Sequence, residues 1–474
     1  MSLFSQTLSA FVQQRQMKIY QLANLSGIER SWLQKMLTGT RKPSDRAQVL
    51  RLAHALSLTH MQTQQLVKAF RILEMGEENW RRRQAVRRLL ESFHLDEGPT
   101  GLEGPHANSS PLHDQKVQVL CSAVQLNRTV HTILLQEMRA TDGFVDLLVQ
   151  PDYLFLLDCL TAIPCEGTPI RHFFCLNSSP CAQTDNLNQL CRMVPPLLHC
   201  HNYQLYGYYD HPDSLFGCAS FLPNLLLTSR CLLQMSPDFS CGLLSRQPQL
   251  LNLARRFFQA QQFRSFPIFG ALPAVEEFLC SPGDQGRIGS SCCMMRHPFA
   301  FLPLRTWMCE KSSPSHAAPD PGDLASKPEV AHCCFSLEQL KSLVQNFGQE
   351  DSGRSAPKRL PPSFTRGQVF QMLQSICRCC EEGKCQLHLI KASGFSIPPG
   401  LCVQTIPPHT ASLLFAHPQK GLLAFSVQSL ALAGAICDFV DYLLGDEEMS
   451  CSPEQSLRLL QEMIRNLSET FDKN

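Results

Sequence analysis

Across the first 93 residues, apolar positions recur three or four apart in successive runs, the spacing that lines one face of an α-helix. Leu8, Phe11 and Val12 mark a first helix, Leu22, Ala23 and Leu25 a second, and Leu33, Met36 and Leu37 a third. Val49, Leu50, Leu52, Ala53 and Leu56 give a fourth, behind Pro43 and a cap at Ser44 or Asp45, while Leu66, Val67 and Phe70 give a fifth. From Trp80 to Phe93 a sixth stripe, Val86, Leu89, Leu90 and Phe93, leaves Arg81, Arg82, Arg83, Arg87 and Arg88 mostly on other faces. It predicts an amphipathic basic helix that packs on this head, with dimer or phosphate contact as alternatives.

Breaker-rich segments divide the remainder. His94 to Gln115, Lys311 to Ala331 and Gln349 to Ser363 are rich in Gly, Pro, Asn or Ser and read as linkers. Between the first two, helical stretches such as Val130–Ala140 and Pro248–Gln262 mix with apolar, extended runs, Leu215–Leu227 and Arg230–Met235. The last part predicts a helix near Gln368–Cys377 and strands over Leu387–Ala392, Leu401–Ile406, Ser412–Ala416 and Leu422–Val427. Helices Leu430–Leu444 and Pro453–Phe471 follow, the second opened by a capping box from Ser452 to Gln455. No internal repeat and no sustained heptad seam is found. The expected chain is therefore multidomain: an all-α five-helix domain over 1–75, a basic connector helix over 76–93 and a mixed α/β or α+β body beyond. Within that body a linker over 94–115 precedes a central α/β domain over 116–310, and a second linker over 311–331 precedes a C-terminal α+β domain over 332–474.

Charge sharpens the division. Residues 1–93 carry fifteen Lys and Arg against six Asp and Glu, a net of +9, whereas the other 381 residues hold 27 against 35, a net of −8. Basic charge gathered in one small module suits a polyanion, because each phosphate neutralised releases counterions. The first residues, MSLFSQTLSAFVQQ, lack the cationic and apolar regions of a secretory signal, so a cytoplasmic location is expected. The run between Lys420 and Asp438, interrupted by Ser426, Gln428 and Ser429, is too short and too polar to span a membrane. All 23 cysteines lie at or beyond Cys121, and in a reducing compartment they are expected as thiols.

The informative stretch is Met17 to Gly39, MKIYQLANLSGIERSWLQKMLTG, followed by TRKPS. Ala23 is small where two short helices must meet, Gly27 supplies a tight turn, and Ile28 and Leu33 fill the core. Arg30, Ser31, Gln34 and Lys35 are then left on the outer face of the third helix, with donors and acceptors suited to base edges. Thr38, Arg41 and Lys42 follow in position for phosphates. Over residues 5–72 the segment resembles the lambda-repressor-like, Cro/XRE family of helix-turn-helix regulators, aligning without a gap at Leu22–Ala23, Gly27, Ile28, Leu33, Gly39 and Pro43. The resemblance implies major-groove binding of double-stranded DNA by the third helix, and a homodimer on a pseudo-palindromic operator. Many members place Gln where Ile19 stands here, and Lys18 beside it is the candidate for that backbone contact; Trp32 is bulky for a recognition helix and is a candidate for methyl reading or backbone packing. The region from Tyr206 through Gln261 is loosely similar to the companion region of large regulators of this type in Firmicutes, which implies a sensor or assembly domain for an unnamed small-molecule or peptide effector.

Other constellations are weaker. Cys377, Cys379, Cys380 and Cys385 could offer soft thiolates to zinc or an iron–sulfur cluster, but their spacing is not a paired CxxC, and so cysteine-rich a chain clusters them by composition; His332, Cys333 and Cys334 fare no better. His199 and His201 are expected on one face of a strand, with Asp210 and His211 further on. No GxSxG, P-loop, GxGxxG or HExxH occurs. The expectation is a DNA-binding regulator with neither catalytic residues, cofactor nor metal; the alternative is a metal- or redox-binding protein or enzyme carrying a DNA-binding head.

Overall fold

A computed structural model describes residues 1–95, 116–165, 167–179, 182–210, 221–271, 291–296, 331–346, 366–417 and 420–471. Among them are fourteen helices and two mixed sheets: a helical N-terminal region and then an α/β body. The chain divides into two compact units, Met1–Gln84 and Ala85–Asn474. Most of the segments read as linkers lie outside the described residues.

In the first unit, α1 (Leu3–Gln14), α2 (Ile19–Ser26), α3 (Arg30–Thr38), α4 (Arg46–Ala55) and α5 (His60–Met75) follow the predicted stripes. Side chains close their N-termini: Ser2 for α1, Asp45 for α4, and Thr59 with Gln62 in a capping box for α5. The Gln48 N–H donates to Asp45 at 2.7 Å, and that bond holds the carboxyl below its ordinary pKa. Phe4, Leu8, Leu22, Leu33, Met36, Leu52, Leu66 and Phe70 make the core, with the rings of Phe4 and Phe70 packed edge to face. Helix α6 (Glu77–Glu91) begins in this unit, yet its stripe, with Ala85, Val86, Leu89, Leu90 and Phe93, is buried in the core of the second unit rather than on the head. Periodicity defines an apolar face but not its partner.

The second unit opens β1 (Val117–Leu120), α7 (Ala123–Met138), β2 (Val145–Leu148), α8 (Leu154–Ala162), β3 (Ile170–Asn177), α9 (Gln183–His199), β4 (Tyr203–Asp210). β5 (Asn224–Thr228), β6 (Leu232–Met235), β7 (Gly242–Ser245), α10 (Pro248–Arg264) and β8 (Phe266–Pro267) complete an eight-stranded sheet ordered β1-β7-β6-β5-β2-β3-β4-β8. Only β2, β3 and β4 run parallel, joined through α8 and α9; the other pairs are antiparallel. One face buries residues of α7, α8 and α9, and the other packs Phe173, Leu227 and Leu232 against Leu251, Ala254 and Phe258 of α10.

The second sheet has seven strands, ordered β12-β11-β10-β13-β14-β15-β9. Its members are β9 (Phe269–Ala271), β10 (Cys292–Met295), β11 (Ala331–Ser336), β12 (Cys385–Ile390), β13 (Leu401–Ile406), β14 (Thr410–His417) and β15 (Gly421–Val427). Strands from both sides of 311–331 thus pair in one sheet. Helix α13 (Leu430–Gly445) covers one face, while α11 (Leu337–Asn346), α12 (Arg366–Glu381) and α14 (Pro453–Phe471) cover the other. The capping box read at Ser452 is present: Gln455 N–H donates to Ser452 Oγ at 3.2 Å and Ser452 N–H donates to Gln455 Oε1 at 3.3 Å. The expected histidine pair is corrected. His199 closes α9 and its Nδ1–H donates to Pro195 O, 2.9 Å away, so it does not share a strand face with His201, and His211 lies outside the described residues.

Candidate nucleic-acid interface

The α2–α3 turn depends on backbone conformation. Gly27 has φ +68°, and a Cβ added there would meet nothing within 4 Å, so the left-handed backbone rather than space selects glycine. Its N–H donates to Ala23 O at 3.0 Å, closing α2 three residues before α3 starts. Gln21 Oε1 accepts the Lys18 N–H at 3.2 Å at the opposite end of α2.

Leu33 and Met36 are fully buried, which fixes the roll of α3 about its axis. Arg30, Ser31, Gln34, Lys35 and Thr38 are consequently exposed, as are Lys18, Arg41 and Lys42. The eight residues selected from sequence therefore all lie at the surface of one small unit. Their local engagements differ. Thr38 Oγ1 donates to Gln34 O or Lys35 O, at 3.1 and 3.2 Å, and pairs with Thr40 Oγ1 at 3.1 Å. Ser31 Oγ donates to Glu29 Oε1 at 2.5 Å. That carboxylate, at the N-cap of α3, received no role from sequence reasoning, although an acid two residues before an outward serine was there to be read.

Trp32 is half-buried and packs against the core. The Arg41 guanidinium stacks 3.7 Å from its ring centroid, a cation–π contact that holds the arginine against the first turn of α3. Among the described residues the indole N–H is buried with no hydrogen-bond partner. Trp32 is thereby spent on packing and on placing Arg41. Chemically, the surface offers guanidinium, ammonium, amide and hydroxyl groups above a rigid core, and among the described residues no group of three or more His, Cys, Asp or Glu could hold a metal.

No family model matches the chain, and no curated protein matches it. Among solved structures it is similar to a phosphatidylserine synthase of Haemophilus influenzae Rd KW20, with 8% identity over 76% of this chain and 95% of that one, at a TM-score of 0.22. A polyphosphate kinase of Porphyromonas gingivalis gives 12% identity over 75% of this chain and 55% of that one at 0.24, and TrmBL2, an archaeal chromatin protein with a novel mode of DNA binding, 9% over 56% and 94% at 0.20. Scores this low carry no argument about fold or function.

Proposed function

We propose that this protein is a transcriptional regulator whose first unit is a lambda-repressor-like helix-turn-helix domain of the Cro/XRE type that reads double-stranded DNA. The observation that carries the reading is the exposed face of α3, Arg30, Ser31, Gln34 and Lys35, set by the buried Leu33 and Met36 and by the left-handed Gly27. Arg30 and Lys35 donate to guanine, Gln34 to adenine and Ser31 to either, while Lys18, Thr38, Arg41 and Lys42 meet phosphates and set the register. The +9 charge of residues 1–93 supplies the nonspecific attraction. The protein acts as a cytoplasmic homodimer, through binding rather than catalysis, and its body answers to a small-molecule or peptide effector. No helix among the described residues is long and apolar enough to cross a membrane.

The test is binding of the full chain to its own upstream region against scrambled DNA across a salt series. Arg30→Ala is expected to relax base preference at a cost of about 1–3 kcal/mol; Lys42→Ala is expected to weaken all sequences alike and to lower the salt slope by about one. Equal effects of both substitutions on both DNAs would remove the assignment of reading and positioning roles. No selectivity at any salt concentration would sink the DNA reading itself.

A further inference from the structure

Helix α12 ends at Glu381, and four residues later the chain re-enters the second sheet at Cys385. Gly383, at φ +70°, makes the reversal: its N–H donates to Cys380 O at 3.1 Å and the Lys384 N–H donates to Cys379 O at 2.9 Å. These two bonds are those of a helix terminus closed by a left-handed residue. They fold Cys385 back over the last turn, with its Sγ 3.4 Å from Cys380 Sγ.

Both sulfurs belong to half-buried residues. A third thiol, the buried Cys333, stands on the neighbouring strand β11, where Ala331 pairs with Cys385 and Cys333 with Leu387. Hydrogen bonding with Cys333 and Cys380 lowers the Cys385 thiol from its ordinary range, while the Cys333 and Cys380 thiols are pushed up. Of the three thiols, Cys385 is the one whose ionisation its neighbours favour. Among the described residues, Cys292–Cys334 at 3.4 Å and Cys293–Cys402 at 3.5 Å are as close, and Cys165 is hydrogen-bonded to Cys200, but Cys334, Cys402, Cys165 and Cys200 are buried. Partial exposure, a close partner sulfur and favoured ionisation coincide at Cys385.

We propose that Cys385 and Cys380 are an oxidation site, at which Cys385 reduces a small hydroperoxide and Cys380 closes a reversible disulfide. With hydrogen peroxide, the Cys385 thiolate attacks one oxygen, the O–O bond breaks, and hydroxide leaves, giving Cys385 sulfenic acid. The hydroxide takes the Cys380 proton and becomes water. The Cys380 thiolate then attacks the Cys385 sulfur, the S–O bond breaks, and the second hydroxide takes up the proton that Cys385 first released to solvent. Two thiols and one peroxide become one disulfide and two waters, with both electrons supplied by sulfur. The sulfurs must close from 3.4 Å to about 2.05 Å, a movement the Gly383 turn can absorb.

The experiment uses the reduced full chain without DNA, so its outcome is separate from the DNA reading. One equivalent of hydrogen peroxide is added, remaining thiols are alkylated, and the protein is cut with trypsin. Cleavage after Arg378, Lys384 and Lys391 puts Cys380 and Cys385 on different peptides, 379–384 and 385–391. The expected result is these two peptides cross-linked as the dominant disulfide and separated again by dithiothreitol. Cys385→Ser is expected to abolish the link and slow peroxide consumption about tenfold. Cys380→Ser is expected to leave a sulfenic acid at Cys385 that dimedone captures, and Cys379→Ser to change nothing. The proposal is overturned if Cys385 is recovered alkylated while other cysteines are oxidised, or if the link survives Cys380→Ser and disappears in Cys379→Ser. In the unsubstituted protein, fragmentation of the linked peptides between Cys379 and Cys380 locates the link even where a variant fails to fold.

Discussion

At the scale of single residues, the body holds a titrating group that must be neutral to be buried. His172, fully buried on β3, has its two ring nitrogens engaged: Nε2–H donates to Val149 O at 2.9 Å and Nδ1 accepts from the Tyr203 hydroxyl at 2.6 Å. The Tyr203 hydroxyl can donate or accept, so it is burial away from water, rather than these partners, that disfavours the imidazolium. Burial pushes the pKa of His172 down to about 4 from 6.5. Between those values the unfolded chain binds a proton that the folded one excludes, so stability is complete above pH 6.5 and falls as pH drops toward 4. The loss from this residue is on the order of 3 kcal/mol. Urea midpoints measured from neutral pH downward are expected to decline over this window, and less steeply in His172→Gln, which carries no charge at any pH. An unchanged decline in that variant would assign the acid sensitivity elsewhere, with His388 and His417, both pushed down to about 4 mainly by burial, next in line.

At the scale of elements, the parallel pair β2 and β3 is locked by an ion pair that no hydrophobic pattern reveals. Asp146 and Arg171 face each other in register and bond through two contacts of 2.6 Å, with the Asp146 side chain 3% exposed. Arg171 also donates to Gln262 of α10 at 2.8 Å, tying that helix to the strands. Arg171→Leu leaves a buried carboxylate unpaired and is expected to cost about 3–5 kcal/mol, whereas Asp146→Val with Arg171→Leu is expected to recover most of that. A double-mutant cycle in urea unfolding measures the coupling; simple additivity of the two single losses would show that the pair does not act as a unit. The same strands explain how far the sequence could be read. In the head every element is an amphipathic helix, so the 3.6-residue period located all five, and the outward residues of α3 followed from the positions of Leu33 and Met36. All four residues of β2 are buried, which erases alternation, and α9 was missed because Pro195 and Pro196 sit inside it. Its stripe of Leu187, Leu190, Val194 and Leu197 keeps the helical period through them. The stack of Arg41 on Trp32, the Ser31–Glu29 bond and the thiols around Cys385 depend on rotamers and on strand register, and spacing along a chain carries neither.

At the scale of the whole molecule, charge is divided between a head of net +9 over residues 1–93 and a remainder of net −8. On the proposed DNA-binding reading, the positive module gains from every phosphate it meets while the net-acidic remainder is repelled, so affinity beyond one head would come from a second copy of the chain. In the proposed homodimer each α3 occupies one major-groove half-site, and the two half-sites lie about one helical turn, roughly 34–36 Å, apart. Five added base pairs turn one half-site to the opposite side of the duplex, and a dimer held together by its body cannot follow. Binding of the full chain to its operator is therefore expected to fall about a hundredfold with a five-base-pair insertion, toward the affinity for a single half-site. Ten added pairs restore the facing but lengthen the span, so recovery measures how far the connection between head and body can extend. Indifference to the five-pair insertion, in an electrophoretic or fluorescence titration, would mean that the heads bind independently. The dimer would then have no part in operator recognition.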